Sequence, residues 1–213
     1  MNLIIFGMQG SGKGTQSKLL VERFSFLHIA PGDVFRQEIL SKTPLGITLE
    51  TYVSKGLLVP DDITLSVIKE YIIRSFATGC ILDGFPRNQV QLEGLETLFA
   101  EVGTQSDHAI YIAISREEAL HRLLGRRICS HCGSIYNINT VHSNNQGIPS
   151  ECLPNLQIRE DENKEAIEKR LAIYEEKTFP LLDFYRSQEK LISVDGMQSI
   201  SDIHSEIVKK LHL

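Results

Sequence analysis

The chain has 213 residues, a formal net charge of −5 and a hydrophobic fraction of 42%. That is enough for one large domain, or one with insertions, around a real core, and no apolar run approaches the roughly 20 residues of a membrane span. The acidic balance argues against a general nucleic-acid binder, and four cysteines, three of them clustered, do not form the pattern of a secreted disulfide framework.

The first apolar run, Leu3-Ile4-Ile5-Phe6, lacks a basic leader and passes straight into Gly7-Met8-Gln9-Gly10-Ser11-Gly12-Lys13-Gly14-Thr15. It reads as a core strand and not as a signal peptide, so a cytoplasmic protein is expected. Strand, glycine-rich turn and helix together are the context of a phosphate-binding loop. The glycines let the backbone curl so that its N–H groups point inward. The helix behind adds free N–H groups and the positive end of its dipole, and Lys13 brings a full charge. One detail departs from the general pattern: Gly14 follows the lysine, and the hydroxyl comes one residue later, at Thr15.

Leu19, Leu20 and Phe24 continue at helical spacing, and Leu27-His28-Ile29 is a short strand candidate. Pro31-Gly32-Asp33 marks a turn and helix start, with Arg36 one turn in. Pro44 breaks that helix, and a second is expected from about Leu45 to Lys55, ended by Gly56. Asp61 or Asp62 is expected to cap the next helix, which carries Leu65, Ile68, Ile72 and Phe76. Cys80-Ile81-Leu82 is a buried strand ending at Asp83, which sets a carboxylate at the mouth of a sheet beside a phosphate loop. Gly84-Phe85-Pro86-Arg87 follows, with Gln91 at the start of a helix.

Ala109 to Ile114 is a further strand, and Ser115 with Glu118 forms a capping box for a helix to about Leu124. From Gly125 to Glu162 the periodicity disappears. A long helix resumes near Asn163, with Ile167, Leu171 and Tyr174 on one face, and Pro180 breaks or kinks it. Leu191 to Val194 is a last strand. Ile200, Ile203, Ile207 and Leu211 are expected to line a final helix. The alternation predicts an α/β fold with a mostly parallel sheet covered on both sides, its ligands at the carboxyl ends of the strands.

These motifs resemble bacterial adenylate kinases of the long-lid type, within the nucleoside monophosphate kinases. The resemblance runs along the whole chain. It rests on the phosphate loop, Gly32-Asp33 with Arg36, Leu82 through Arg87, Gln91, Gly125-Arg126-Arg127, Arg159 with Asp161, and Lys169-Arg170. It implies reversible transfer of the terminal phosphoryl group of ATP to AMP with Mg²⁺, in nucleotide biosynthesis and adenine nucleotide homeostasis. It further implies a P-loop core (1–29, 60–124 and 163–213), a small helical AMP-binding insert (30–59) and a long lid insert (125–162).

Residue by residue, the resemblance implies that Gly10, Ser11, Gly12, Lys13, Gly14 and Thr15 hold the ATP phosphates. Arg122, Arg126, Ile135, Tyr136 and Gln198 lie near ATP. Pro31, Arg36, Leu57, Leu58, Val59, Gly84, Phe85, Pro86, Arg87 and Gln91 line the AMP site, and Arg159 and Arg170 reach in from lid and core. Lys13, Asp83, Arg87, Arg126, Arg159 and Arg170 form the catalytic set, with Asp83 and Asp161 ordering water around Mg²⁺ and the lid arginines. Phosphoryl transfer leaves little covalent work to the protein, so positioning and charge stabilisation dominate. Guanidinium forks, which stay charged, suit that task.

Two departures from the family matter. The family usually has a threonine by the AMP base where this chain has Pro31, which carries no side-chain donor or acceptor. AMP is still expected as the preferred acceptor, with Gln91 reading the adenine edge. In the lid, Cys129-Ser130-His131-Cys132 is like half a zinc ribbon. Many relatives carry a second cysteine pair, but the matching places here hold Pro149 and Cys152, so three ligands are in register. His131, His142 or an external group is left as the fourth. A structural Zn²⁺ on Cys129, Cys132 and Cys152 is expected, because a segment of roughly 40 residues with few large apolar side chains is near the size that needs a staple.

Other readings are a UMP/CMP-type kinase, which the long insert opposes, and a nucleotide switch or zinc-ribbon nucleic-acid binder. The block from Asp83 to Gln91 has no purpose in a switch, and the lid lacks a basic and aromatic stripe. Nothing points to an obligate interface, so a monomer is expected.

Overall fold

The computed structural model describes residues 1–75, 79–139, 148–159 and 163–213. Phe76, His142 and Asp161, each singled out above, lie outside the described residues.

Among the described residues a five-stranded, all-parallel sheet forms the centre. Its strands are β1 (Asn2–Phe6), β2 (Leu27–Ile29), β3 (Cys80–Asp83), β4 (His108–Ala113) and, last in the chain, Leu191–Asp195. β1 is buried along its whole length, as expected of a parallel strand covered on both faces. Its side chains alternate between two cores. Ile4 and Phe6 join Leu82, Leu92, Phe99 and Tyr185 on one face. Leu3 and Ile5 join Leu20, Ile110, Ile203 and Ile207 on the other. Ile5 stands opposite Asp83 in the register of β1 and β3. The phosphate loop and the carboxylate therefore leave the sheet side by side. β1 lies between β3 and β4, with β2 outside β3 and Leu191–Asp195 outside β4. That order opens a crevice at the carboxyl end of β1.

The helices follow the sequence reading closely. They are α1 (Lys13–Phe24), α2 (Pro31–Leu40), α3 (Pro44–Val53), α4 (Asp61–Ser75), α5 (Gln89–Glu101), α6 (Arg116–Gly125), α7 (Lys164–Ile173), α8 (Leu181–Ser187) and α9 (Ile200–Leu211). Side-chain caps set several starts: Thr43, Asn88, Ser115, Asn163 and Ser199 each accept a backbone N–H three residues on. Pro31 and Pro44 sit at the first helical position, where a missing N–H costs nothing. α2 and α3 share a small core of Phe35, Leu49 and Val59.

Two expectations need correction, the cap of α4 and the place of Ile200, and two features add to the sequence reading. Neither Asp61 nor Asp62 caps α4, because the helix already begins at Asp61 and the backbone bond from Thr64 returns to the Pro60 carbonyl. Both aspartates lie in the first turn, where carboxylates face the positive end of the dipole. The stretch without periodicity carries short strands that the sequence reading did not place. It forms β5 (Arg126–Cys129), β6 (Ile135–Asn137) and β7 (Leu156–Gln157), an antiparallel sheet with β5 at its centre. Strands of two to four residues carry too little alternation to be read. The last strand, Leu191–Asp195, is thus β8. Pro180 breaks the helical path, as expected, with residues 179–180 as a turn before α8. Residues Tyr174–Thr178 widen into a π-turn, with the Phe179 N–H bonded to the Tyr174 carbonyl at 2.8 Å, and α8 follows. Ile200 is 58% exposed and leaves the core face of α9 to Ile203, Ile207, Val208 and Leu211.

Candidate active site

The phosphate loop turns at Gly10 and Gly12, whose φ values of 88° and 94° lie where side chains are strained. Ser11 N–H bonds back to Met8 O at 3.1 Å and closes the curl. Lys13, at the start of α1, donates from Nζ to the Gly7 and Met8 carbonyls at 2.7 and 3.0 Å. The ammonium is thereby folded over the loop. Burial pushes its pKa down to about 8; Asp83 opposes this, and Arg87 and Arg126 add to it.

Asp83 closes the inner wall. A β-carbon on Gly14 would stand 3.4 Å from its Oδ2, and His28 Nε2 lies 3.5 Å from the same oxygen. Burial by itself would raise this carboxyl. The His28 imidazole, Lys13 and Arg87 outweigh burial and hold the pKa below the ordinary value. His28 was not singled out from the sequence. A histidine in a three-residue strand gives no signal until β2 is laid against β3.

Arginines converge from separate elements. Arg87 donates from Nε to Gly84 O at 2.6 Å. Burial, then Arg170 and Arg36, push its pKa down to about 10. The like charges mark guanidinium groups crowded into one space. Arg36 pairs with Asp33. Arg170 reaches from α7 to Val53 O at 3.4 Å, so it bridges α7 to the end of α3. Arg122 is held by Glu118 at 2.6 Å and by Gly196 O at 3.0 Å.

All of the residues expected to meet nucleotide border one cleft of about 1250 Å³. Gly10 through Thr15, Arg122, Arg126, Ile135, Tyr136 and Gln198 are among its lining. So are Pro31, Arg36, Leu57, Leu58, Val59, Gly84, Phe85, Pro86, Arg87 and Gln91. Asp83, Arg159 and Arg170 border the same space. Such a cleft, with several cations among its lining, can hold two phosphate-bearing ligands against each other.

Pro31 presents no hydrogen-bonding group to it, and the first position of α2 explains why proline is tolerated there. Gln91 is 2% exposed and already engaged: its Oε1 accepts the Arg87 N–H at 2.8 Å, and its Nε2 donates to Asp61 Oδ1 at 2.8 Å. Thr64, Tyr174 and Thr178 also border the cleft and were not read as site residues from the sequence. Their helical spacing is indistinguishable from that of core residues.

Away from the cleft, Cys129, Cys132 and Cys152 bring their sulfurs within 4.8 Å of one another. Cys132 and Cys152 are 3.6 Å apart. A tetrahedral zinc at about 2.3 Å from each thiolate sets sulfurs about 3.8 Å apart, so the three donors fit such an ion. Hydrogen bonds from Ser134, then Cys152, bring the Cys132 thiol down to about 6. Tyr136 donates its hydroxyl to Cys152 Sγ at 3.5 Å. His131 is exposed and stands outside the cluster.

A family model described as adenylate kinase matches residues 5–190. The chain is similar to the adenylate kinase of Bacillus velezensis, at 39% identity over 99% of this chain and 98% of the relative. It is similar to the adenylate kinase of Clostridium tetani at 37% identity, over 97% and 96%. A third relative, the adenylate kinase of Thermosipho africanus, is 37% identical over 98% of each chain.

Proposed function

The chain belongs to the adenylate kinase family, and from that premise we propose how its own residues divide the work. The reaction is reversible transfer of the terminal phosphoryl group of ATP to AMP, giving two ADP. The UMP/CMP-type alternative is not favoured.

The observation that carries the residue assignment is the single cleft shared by both sets of expected contacts. The loop from Gly10 to Thr15, with Arg122, Arg126, Ile135, Tyr136 and Gln198, holds ATP. Pro31, Arg36, the run Leu57 to Val59, the run Gly84 to Arg87, and Gln91 hold AMP. Arg159 and Arg170 close on the phosphates between them. Lys13 and the arginines stabilise charge on the transferring group as it moves between oxygens. Mg²⁺ accompanies ATP and neutralises its phosphate oxygens when bound, and Asp83 faces that region, ionised because its pKa is held low. No side chain is required as a strong base. The AMP-binding insert and the lid close over the nucleotides and exclude water, which would otherwise take the phosphoryl group.

Gln91 keeps one amide N–H and one Oε1 lone pair beyond its present partners with which to read an adenine edge, and Pro31 adds no side-chain donor or acceptor. AMP nonetheless remains the preferred acceptor. Coupled assays of ADP formation with AMP, CMP, UMP and GMP test this, and a pyrimidine in first place defeats it. In the lid, Cys129, Cys132 and Cys152 hold a structural Zn²⁺, with His142 or an external group as the fourth ligand. Metal analysis of the purified protein is expected to give one zinc per chain, reduced in Cys152→Ser; no stoichiometric zinc refutes the site. The protein works as a cytoplasmic monomer, and among its described residues no helix is long and apolar enough to cross a membrane.

A further inference from the structure

Arg87 is gripped by its main chain from two sides. Its N–H donates to Gln91 Oε1, and its carbonyl accepts from Thr178 Oγ1, each at 2.8 Å. Gln91 is braced in turn, since Asp61 Oδ1 accepts from both Gln91 Nε2 and Asn88 Nδ2, at 2.8 and 2.9 Å. The first turn of α4, the start of α5 and the π-turn therefore meet around one peptide. Gln91 and Thr178 are 2% and 5% exposed, so water competes little for these bonds.

The π-turn delivers the hydroxyl. Pro180 cannot donate a backbone N–H, and the chain meets the loss with one wider turn, closed by Phe179 N–H on Tyr174 O. A threonine in a regular helix commonly turns its hydroxyl to a carbonyl of the preceding turn. Thr178 instead sends it 91 residues away in sequence, to Arg87.

Arg87 needs such an anchor. Its half-buried guanidinium shares the cleft with Arg170 and Arg36, whose like charges repel it. A main chain free to shift would let it retreat, and a displacement of about 1 Å can cost on the order of 100-fold in rate.

We propose that Thr178 is a positioning residue for the reaction, acting through the Arg87 carbonyl to hold that guanidinium over the acceptor phosphate. The proposal rests on the assignment of Arg87 to the acceptor site.

The test is steady-state kinetics on the full-length protein, with each nucleotide varied in turn, for Thr178→Val, Thr178→Ser, Arg87→Ala and the double variant Thr178→Val/Arg87→Ala. Thr178→Val is expected to lower kcat/KM for AMP about tenfold and to leave KM for ATP within about twofold. Thr178→Ser, which keeps the hydroxyl, is expected to recover most of the loss. In the Arg87→Ala background the valine substitution is expected to change little, because its effect passes through Arg87. If Thr178→Val does not fold, Thr178→Ala is read by the same criteria. A kcat/KM for AMP within twofold of the parent, or an equal loss with and without Arg87, would overturn the proposal. An Arg87→Ala protein with undiminished kcat/KM for AMP would overturn the acceptor-site assignment as well. A slow Arg87→Ala beside an unaffected Thr178→Val would overturn only the role of Thr178.

Discussion

Lys13 is the residue through which pH should act on ATP binding. Burial and two neighbouring guanidinium groups bring its pKa from 10.5 to about 8, so the free enzyme loses this charge in a mildly alkaline range. A bound triphosphate supplies the opposite charge and returns the pKa toward its ordinary value. Binding must then take up protons: about 0.1 per site at pH 7, about 0.5 at pH 8 and about 0.9 at pH 9. Phosphate groups titrate near pH 6 and add little above pH 7. Arg87, pushed down to about 10, adds no more than about 0.1 at pH 9. Calorimetric titration with a non-hydrolysable ATP analogue, in buffers of differing ionisation enthalpy, reads the number directly. Lys13→Arg should show no uptake if it still binds. The sign for stability follows the same logic. Between pH 8 and 10.5 the unfolded chain holds more protons at Lys13 than the folded one, so its cost to ligand-free stability, about 3 kcal/mol at most, fades as pH rises through that window. Uptake below about 0.2 protons at both pH 8 and pH 9 would refute the reasoning.

His28→Ala removes the imidazole that helps to hold the Asp83 pKa down. The stability that Asp83 contributes is present above the ordinary carboxylate pKa and is lost as pH falls through the lowered one. The variant should therefore lose activity and stability at a higher pH on the acid side, and an unshifted acid limb would count against the contact. Pro31→Thr restores a hydroxyl at the edge of the cleft; a single hydrogen bond worth about 0.5–1.5 kcal/mol raises kcat/KM for AMP roughly two- to tenfold, read from acceptor-saturation curves, with no gain refuting it. Gly46→Ala drives a β-carbon to 2.1 Å from the Glu38 carbonyl oxygen, where α3 crosses α2. Overpacking against backbone should cost at least about 1–3 kcal/mol and raise KM for AMP while sparing KM for ATP; urea melts and kinetics check this, and unchanged values would place the clash elsewhere.

Reading the chain in order was enough for the phosphate loop, the buried strand that ends in Asp83, the helix starts at Pro31, Ser115 and Asn163, and the parallel α/β plan. Those features are written in adjacent residues: glycines that permit φ near 90°, caps that take an N–H three positions on, and apolar runs or 3.6-residue periods. The family motifs extended this to the cations that border the cleft. What adjacency could not encode was settled by long-range pairing. β5, β6 and β7 hold together because Arg126 finds Asn137 and Cys129 finds Leu156. Cys152 joins a pair twenty residues earlier. Gln91 faces Asp61 and the Arg87 amide, Thr178 faces the Arg87 carbonyl, and His28 faces Asp83. A side chain's type fixes what it can bond. Which bond it makes depends on groups brought near by folding, because a buried donor or acceptor must take the partner that packing leaves beside it.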